Sequence, residues 1–327
     1  MDLRDRLGLE RPVVQAGMGG GLATADIAAA VSSAGGLGTV GILPPRMLEA
    51  ELRTATAMAR PHPVAANLIV PFLRSGHVEA VIRGGARLAV LSFGFRPAAV
   101  AALRHAGVMV LHQVGTVVEA RRALDDGADG LIAQGVEAGG HLVGVEPTLD
   151  FLPRALNAAG GRPVLAAGGI HDRNAAAVAM SAGAVAVVAG TRFLLTEECH
   201  AHPRYKQRVC GVSRTLETTL FGFGWPLRHR VVPNAATERW LRSGREPAWM
   251  RYVCRASGVL GRVVPMDAVS ELAARRMSWM PPSAAPVLAG QPDSAVELGP
   301  LYGGACAQHI DAVVPAATAV DILDPSV

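Results

Sequence analysis

The stretch Val164-Leu165-Ala166-Ala167-Gly168-Gly169-Ile170, with its successor Val185-Ala186-Val187-Val188-Ala189-Gly190-Thr191-Arg192, decides the fold of this chain. Each is a short apolar run ending in glycine, and the Ala-rich segment Arg173–Ala182 between them stops at Gly183. Continuous apolar runs mark strands covered on both faces, as in parallel sheets. Glycine after an Ala-rich periodic segment marks a helix C-terminus. The same unit recurs all the way back to the N-terminus. Strands are predicted at Val13–Ala16, Leu37–Gly41, Val64–Val70, Leu88–Phe95, Val108–Val114, Gly130–Gln134, Val164–Ala167 and Val185–Ala189. Helices are predicted at Thr24–Ala34, Pro45–Ala59, Val78–Arg83, Pro97–His105, Val117–Asp126, Leu149–Ala159 and Arg173–Ala182, with an eighth opening at Thr191. Eight strand-helix units in about 190 residues fit an α/β (β/α)8 TIM barrel. An open doubly wound sheet is the competitor, because Gly17-Met18-Gly19-Gly20-Gly21 superficially resembles a dinucleotide loop. No acidic residue ends the second strand, which weakens that reading.

Composition agrees with a globular chain that has ample material for a buried core. Of 327 residues, 50% are hydrophobic and 18% charged, which excludes intrinsic disorder. The net charge is +4 and Lys206 is the only lysine, with no basic block interleaved with aromatics, so nucleic-acid binding is not expected. The start of the chain lacks an apolar signal core, and no run reaches the ~20 apolar residues of a membrane span, so a cytoplasmic protein is expected. Four widely spaced cysteines without a CxxC point to reduced structural thiols, not to a metal site. Residues 203–284 lose the βα rhythm and hold all four tryptophans. The expectation is a barrel over 1–202, a mostly helical appendage leaning over its mouth over 203–284, and a loop and helix over 285–327 that return to the barrel. A homodimer is compatible with the sequence.

In this fold the working loops follow the strands, and the loops after strands seven and eight usually take a phosphate. Here they are Ala167-Gly168-Gly169-Ile170 and Ala189-Gly190-Thr191-Arg192. Glycines let backbone N–H groups approach a phosphate, and a following helix N-terminus adds partial positive charge. Sugar phosphates, nucleotides and flavins all satisfy such a site. After strand six runs Gln134-Gly135-Val136-Glu137-Ala138-Gly139-Gly140-His141. An imidazole in a flexible glycine loop at the mouth suits a general base. Glu137 is a second acid/base, a helix cap or a solvated carboxylate. Asn67 places an amide inside an apolar strand, where it needs a partner, and a ligand ring edge is one candidate. His112-Gln113 and Ser92 end their strands at the mouth, whereas His62, His77, His105 and His229 read as background.

At these residues the chain resembles the nitronate monooxygenase family, formerly 2-nitropropane dioxygenases, FMN-dependent (β/α)8 barrels. The matching stretches are Val13 to Met18, Ala28 to Gly38, Asn67-Leu68, Ser92-Phe93, Gln134 to His141, Ala167 to Ile170 and Gly190 to Leu194. The resemblance implies FMN with its phosphate on the loops at Gly168, Gly169, Gly190 and Thr191, with Ala167 also among the cofactor-binding residues. It implies that Ala16, Gly17 and Met18 pass behind the isoalloxazine, and that Asn67, Gln113, Gln134 and Gly139 line the flavin. The family often has Pro where Gly17 stands, and some members carry Lys where Gln113 lies. His141 falls on the family's catalytic histidine. In such enzymes it takes the α-proton of a nitroalkane; the nitronate is then oxidised with O2 to a carbonyl compound and nitrite. The segment Ala201 to Lys206 is similar to the flavin-dependent enoyl-acyl-carrier-protein reductases, which take hydride from NAD(P)H. The Ser92-Phe93 strand looks more like the monooxygenase branch. A flavin-binding barrel without turnover is a third class, and the intact His141 loop argues against it.

Overall fold

The structure, a computed structural model, describes residues 6–241, 244–263 and 282–326. Strands β1 (Val13–Gln15), β2 (Gly38–Val40), β3 (Val64–Ile69), β4 (Leu88–Ser92), β5 (Met109–Val114) and β6 (Gly130–Gln134) alternate with helices α1 (Ala25–Ser33) to α5 (Val117–Asp125). A two-residue strand, β7 (Gly140–His141), interrupts the rhythm. Helix α6 (Thr148–Ala159), β8 (Val164–Ala167), α7 (Arg173–Ser181), β9 (Ala186–Ala189) and the single turn α8 (Thr191–Leu194) complete it. The parallel strands follow the order β1-β9-β8-β6-β5-β4-β3-β2. A parallel bridge between Val14 and Leu37 joins the two ends. There Gln15 N–H donates to Leu37 O and Leu37 N–H to Val13 O, both at 2.9 Å. The sheet is therefore a closed barrel with no free edge.

Side chains alternate across each strand, so every second residue faces the barrel axis. One cluster collects Val14, Ala65, Leu88, Val90, Met109, Leu111, Ile132, Leu165, Ala186 and Val188, with Leu7 and Leu9 from the N-terminal segment. Two further sets, one including Val13, Leu131, Val164 and Val187 and the other Val40, Val64, Leu91 and Val110, pack the outer strand faces against the helices. Following each inward row to its C-terminal end gives a different chemistry: Ala16, Thr39, Asn67, Ser92, Gln113, Gln134 and Ala167. The interior is thus an apolar plug topped by amides, hydroxyls and small residues. His112, expected at the mouth, lies one residue out of this register. It faces outward instead, stacked on Phe95 at 4.9 Å with its Nε2 2.9 Å from the Gly94 carbonyl.

Beyond the barrel come α9 (Pro203–Val209), β10 (Leu216–Thr218), β11 (His229–Val231), α10 (Ala235–Trp240), α11 (Ala248–Val263), α12 (Ser294–Leu298) and α13 (Ala316–Leu323). The segment expected to be mostly helical therefore also holds two strands. These pair antiparallel with each other, and β11 pairs antiparallel with β7. Trp279 and the rest of 264–281 lie outside the described residues. No helix among the described residues is long and apolar enough to cross a membrane.

Candidate active site

A cavity of about 450 Å³ opens at the C-terminal ends of the barrel strands. It brings together Ala16, Gly17, Met18, Asn67, Gln113, Gln134, Gly139, His141, Ala167, Gly168, Gly169, Gly190 and Thr191, which the sequence spreads over 176 positions. Ser92 and Glu137 also line it; His112 does not.

The amides sit on the most rigid elements. Asn67 donates from Nδ2 to Gly17 O at 2.7 Å, which orients the amide and leaves its buried Oδ1 without a partner among the described residues. A Cβ on Gly17 would stand 2.2 Å from that of Asn67, so glycine is what lets the β1 loop pass over the amide. Thr39 Oγ1 and Ser92 Oγ, on the same wall, are likewise buried and unpaired among the described residues. Three orphaned polar atoms in one cavity are costly unless a ligand or water satisfies them. A heteroaromatic ring with alternating donors and acceptors fits that need.

The glycines of the last two loops differ in origin. Gly168 and Gly169 have φ of +113° and +78°, in the range that favours glycine, and a Cβ on Gly168 would meet Thr148 Oγ1 at 2.6 Å. The protein itself demands both. Gly190 has φ −104°, and a Cβ there would find only Ala16 Cβ, at an ordinary 3.6 Å. The protein alone tolerates a Cβ at Gly190, so a glycine there fits the close approach of a ligand such as a phosphate. Thr191, at the start of α8, accepts at Oγ1 from Gly304 N–H at 2.9 Å. The tail is thereby tied to this loop.

The loop bearing His141 is braced rather than flexible. Val136 N–H donates to Glu146 O at 3.0 Å, closing its base. Gln134 reaches up from β6: its Oε1 accepts from Val143 N–H (2.8 Å) and Gly144 N–H (3.3 Å), and its Nε2 lies 3.4 Å from His141 O. Gln134 therefore faces both the cavity and the histidine loop. Glu137 caps α6, accepting from Thr148 N–H and Oγ1, so of its three readings the cap describes its contacts. A Cβ on Gly139 would lie 2.5 Å from Gly304 N, so the loop and the tail are in close backbone contact.

His141 stands in a wall of rings. Trp225 stacks on it with centroids 3.8 Å apart and planes at 25°. Tyr302 and His229 lie at 5.5 and 5.1 Å, and Phe93 at 6.3 Å. Phe72 and Phe93 meet Trp225 edge-on. Burial among these rings, and secondarily the neighbouring His229, hold the His141 imidazole well below its ordinary pKa. Its Nε2 has no hydrogen-bond partner among the described residues. A neutral imidazole near pH 7 can accept a proton, which is what a base needs. His229, read as background in the sequence, is fixed between Leu227 O at 2.9 Å and Phe221 N–H at 3.3 Å, and burial depresses its pKa to about 4. Phe93 has φ +62°, an unusual backbone for a bulky residue, and one that clusters at functional sites. Trp225, His229 and Phe72 are not singled out by the sequence as parts of a site, whereas Phe93 stands inside a quoted motif.

The sequence matches the nitronate monooxygenase family over residues 2–73 and 73–239. The chain belongs to that family. Its members are enzymes, so the chain is an oxidoreductase with the family's flavin chemistry. A similar relative is the (3aS,4S,5R,7aS)-5-hydroxy-7a-methyl-1-oxo-octahydro-1H-indene-4-carboxyl-CoA dehydrogenase of Mycobacterium tuberculosis, 33% identical over 94% of this chain and 90% of that protein. A nitronate monooxygenase of Pseudomonas aeruginosa is 34% identical over 63% of this chain and 72% of its own length. Among solved structures, FabK from Thermotoga maritima superimposes with a TM-score of 0.77 at 26% identity, covering 98% of this chain and 94% of that one. A nitroalkane oxidase from Streptomyces ansochromogenes gives 0.76 at 25% identity, covering 98% and 96%.

Proposed function

We propose that this chain is an FMN-dependent oxidoreductase of carbon acids, acting on alkyl nitronates and nitroalkanes with O2 to give a carbonyl compound and nitrite. The observation that carries the reading is His141, a neutral imidazole on the wall of the cavity that also holds the orphaned Asn67 amide. Gly168, Gly169, Gly190 and Thr191 would hold the FMN phosphate. Ala16, Gly17, Met18 and Ala167 would back the ring, with Asn67, Gln113, Gln134 and Gly139 at its edges. When bound, FMN supplies the acceptor for the substrate's electrons. The nitro group makes the adjacent C–H acidic; His141 takes that proton, and the surrounding rings exclude water from the exchange. A nitronate has already lost the proton and needs the histidine only for placement.

A second reading is a dehydrogenase of a CoA thioester. It is favoured by the dehydrogenase relative, which spans 94% of this chain where the Pseudomonas aeruginosa nitronate monooxygenase spans 63%. A thioester carbonyl also acidifies its α-C–H, so His141 would keep its role. Purified protein should be yellow and release FMN on heat denaturation. Mixed anaerobically, ethyl nitronate should bleach the flavin and NADPH should not, and nitrite should accumulate in air. Bleaching by an acyl-CoA alone would select the second reading, and bleaching by NADPH alone would move the chain to the reductases. Folded protein that neither retains nor rebinds FMN would remove both.

A further inference from the structure

The loop that carries His141 is held from outside the barrel. In the β7–β11 ladder His141 lies opposite His229 and Gly140 opposite Arg230, and Leu142 N–H donates to Arg228 O at 2.9 Å. Arg230 donates from Nε and Nη2 to Val136 O, at 3.0 and 2.8 Å. Arg228 donates from Nη2 to Gly144 O at 2.6 Å. Val136 and Gly144 are the two feet of the loop. Glu217, directly across the β10–β11 ladder from Arg230, accepts from Arg228 Nη1 at 2.6 Å and lies 3.7 Å from Arg230 Nη2. One carboxylate thus steadies two guanidiniums, and each guanidinium holds one foot. None of the three side chains lines the cavity.

We infer that Glu217, Arg228 and Arg230 form a clamp of positioning residues that sets His141 for proton abstraction. The inference rests on His141 being the base. Guanidinium–carbonyl bonds are charge-assisted, and the planar fork of arginine fixes direction as well as distance. Arg230 is the central member, because its side chain is only 16% exposed and both of its bonds converge on Val136. A base displaced by about 1 Å loses on the order of 10² in rate. A substrate that needs no proton removed escapes most of that loss.

The test compares Arg230→Met, Arg228→Met, Glu217→Gln and the conservative Arg230→Lys, all as full chains carrying FMN. Arg230→Met should slow nitroethane oxidation by about tenfold or more while changing ethyl nitronate turnover far less. Hydrogen exchange should rise in peptides spanning 136–146 and stay unchanged in the barrel strands. Arg230→Lys, which keeps a donor, should recover part of the lost nitroethane rate. Equal losses on both substrates, or unaltered exchange over 136–146 with wild-type ratios, would overturn the clamp. If Arg230→Met does not fold, Glu217→Gln and Arg230→Lys carry the same comparison. If the wild-type chain oxidises no nitroethane, the functional reading has failed. The exchange measurement then decides the clamp alone: faster exchange confined to 136–146 supports it, and unchanged exchange overturns it.

Discussion

The two walls of the cavity are built on opposite terms. One wall is the ring of strand ends, where Asn67, Ser92, Gln113 and Gln134 sit on neighbouring parallel strands and each inward row finishes in a polar or small residue. Its atoms are set by the barrel's own hydrogen bonds, and its unpaired oxygens ask for a partner from outside. The other wall is made of rings drawn from separate places: Phe72 after β3, Phe93 after β4, Trp225 between β10 and β11, and Tyr302 in the tail. It carries few polar atoms and surrounds His141, the titratable group proposed for the chemistry. A rigid polar wall can define where a flavin lies, while an apolar wall can tune a base. His141 stands where they meet, held from below by Gln134 and covered from above by Trp225.

The largest expected effect falls on that junction. His141→Ala should reduce oxidation of a neutral nitroalkane by roughly 10²–10⁴-fold, the usual contribution of a general base. Turnover of the preformed nitronate should suffer much less, and FMN content should barely change, because the strand-end wall is intact. Steady-state rates on both substrates, with flavin content by absorbance, check this. Equal losses would assign His141 to binding and would merge the two walls into one.

The ring wall also has a stability signature. His229 is buried neutral beneath His141, with its pKa depressed to about 4. A depressed histidine stabilises the fold above the unfolded pKa of about 6.5, and that stability is lost as pH falls toward the folded value. The single group accounts for about 3 kcal/mol between pH 6.5 and 4. The wild-type denaturation midpoint should therefore fall over this window, and His229→Gln should flatten the slope even though it lowers stability at neutral pH. An unchanged slope would place the proton uptake elsewhere, with His77, His112 and His141, whose pKa values burial also lowers.

Gly190 tests the strand-end wall by itself. A Cβ there meets only Ala16 Cβ, at 3.6 Å, and Gly190 lines the open cavity, so Gly190→Leu should fold with near wild-type thermal stability in the absence of flavin. FMN binding should weaken by about tenfold or more, about 1.4 kcal/mol. Fluorescence titration of apoprotein with FMN measures it, and unimpaired binding would move the phosphate away from this loop.

How much of each wall was legible in the sequence follows from the range of the contacts. Strand ends recur with a local period, so Gly168, Gly169, Gly190 and the amide of Asn67 announce themselves within a few residues. His112 was misplaced by a single position, because neighbouring strand residues face opposite ways and a pattern of types does not give the register. The ring wall has no local period. Trp225 reaches His141 across 84 positions and Tyr302 across 161, and nothing near either residue says so. His229 looked ordinary because its meaning lies in a two-residue ladder with β7 that no propensity encodes.

The smallest effect is the most specific to the ring wall. Trp225 covers one face of His141 at 3.8 Å and is itself wedged by Phe72 at 5.1 Å and Phe93 at 4.9 Å. Desolvation is the larger cause of the depressed His141 pKa, with His229 second, so removing the indole should admit water and raise that pKa toward its ordinary value. Protonated imidazole cannot act as a base, so the rate on a neutral nitroalkane falls as pH drops through the His141 pKa. In wild-type protein this acid limb should lie below about pH 6.5. In Trp225→Ala it should move upward but stay below the ordinary value, because His229 and Tyr302 still flank the ring. The variant should then lose more rate on this acid limb than at pH 8, where both imidazoles are neutral and the less depressed one is the stronger base. Trp225→Phe, which keeps a ring over the histidine, should move the limb less. Nitronate rates measured at pH 8 supply the control for simple loss of packing. If the limb stays fixed in both variants while overall rate drops, the indole places substrate rather than drying the base, and the low proton affinity of His141 belongs to the barrel side of the junction.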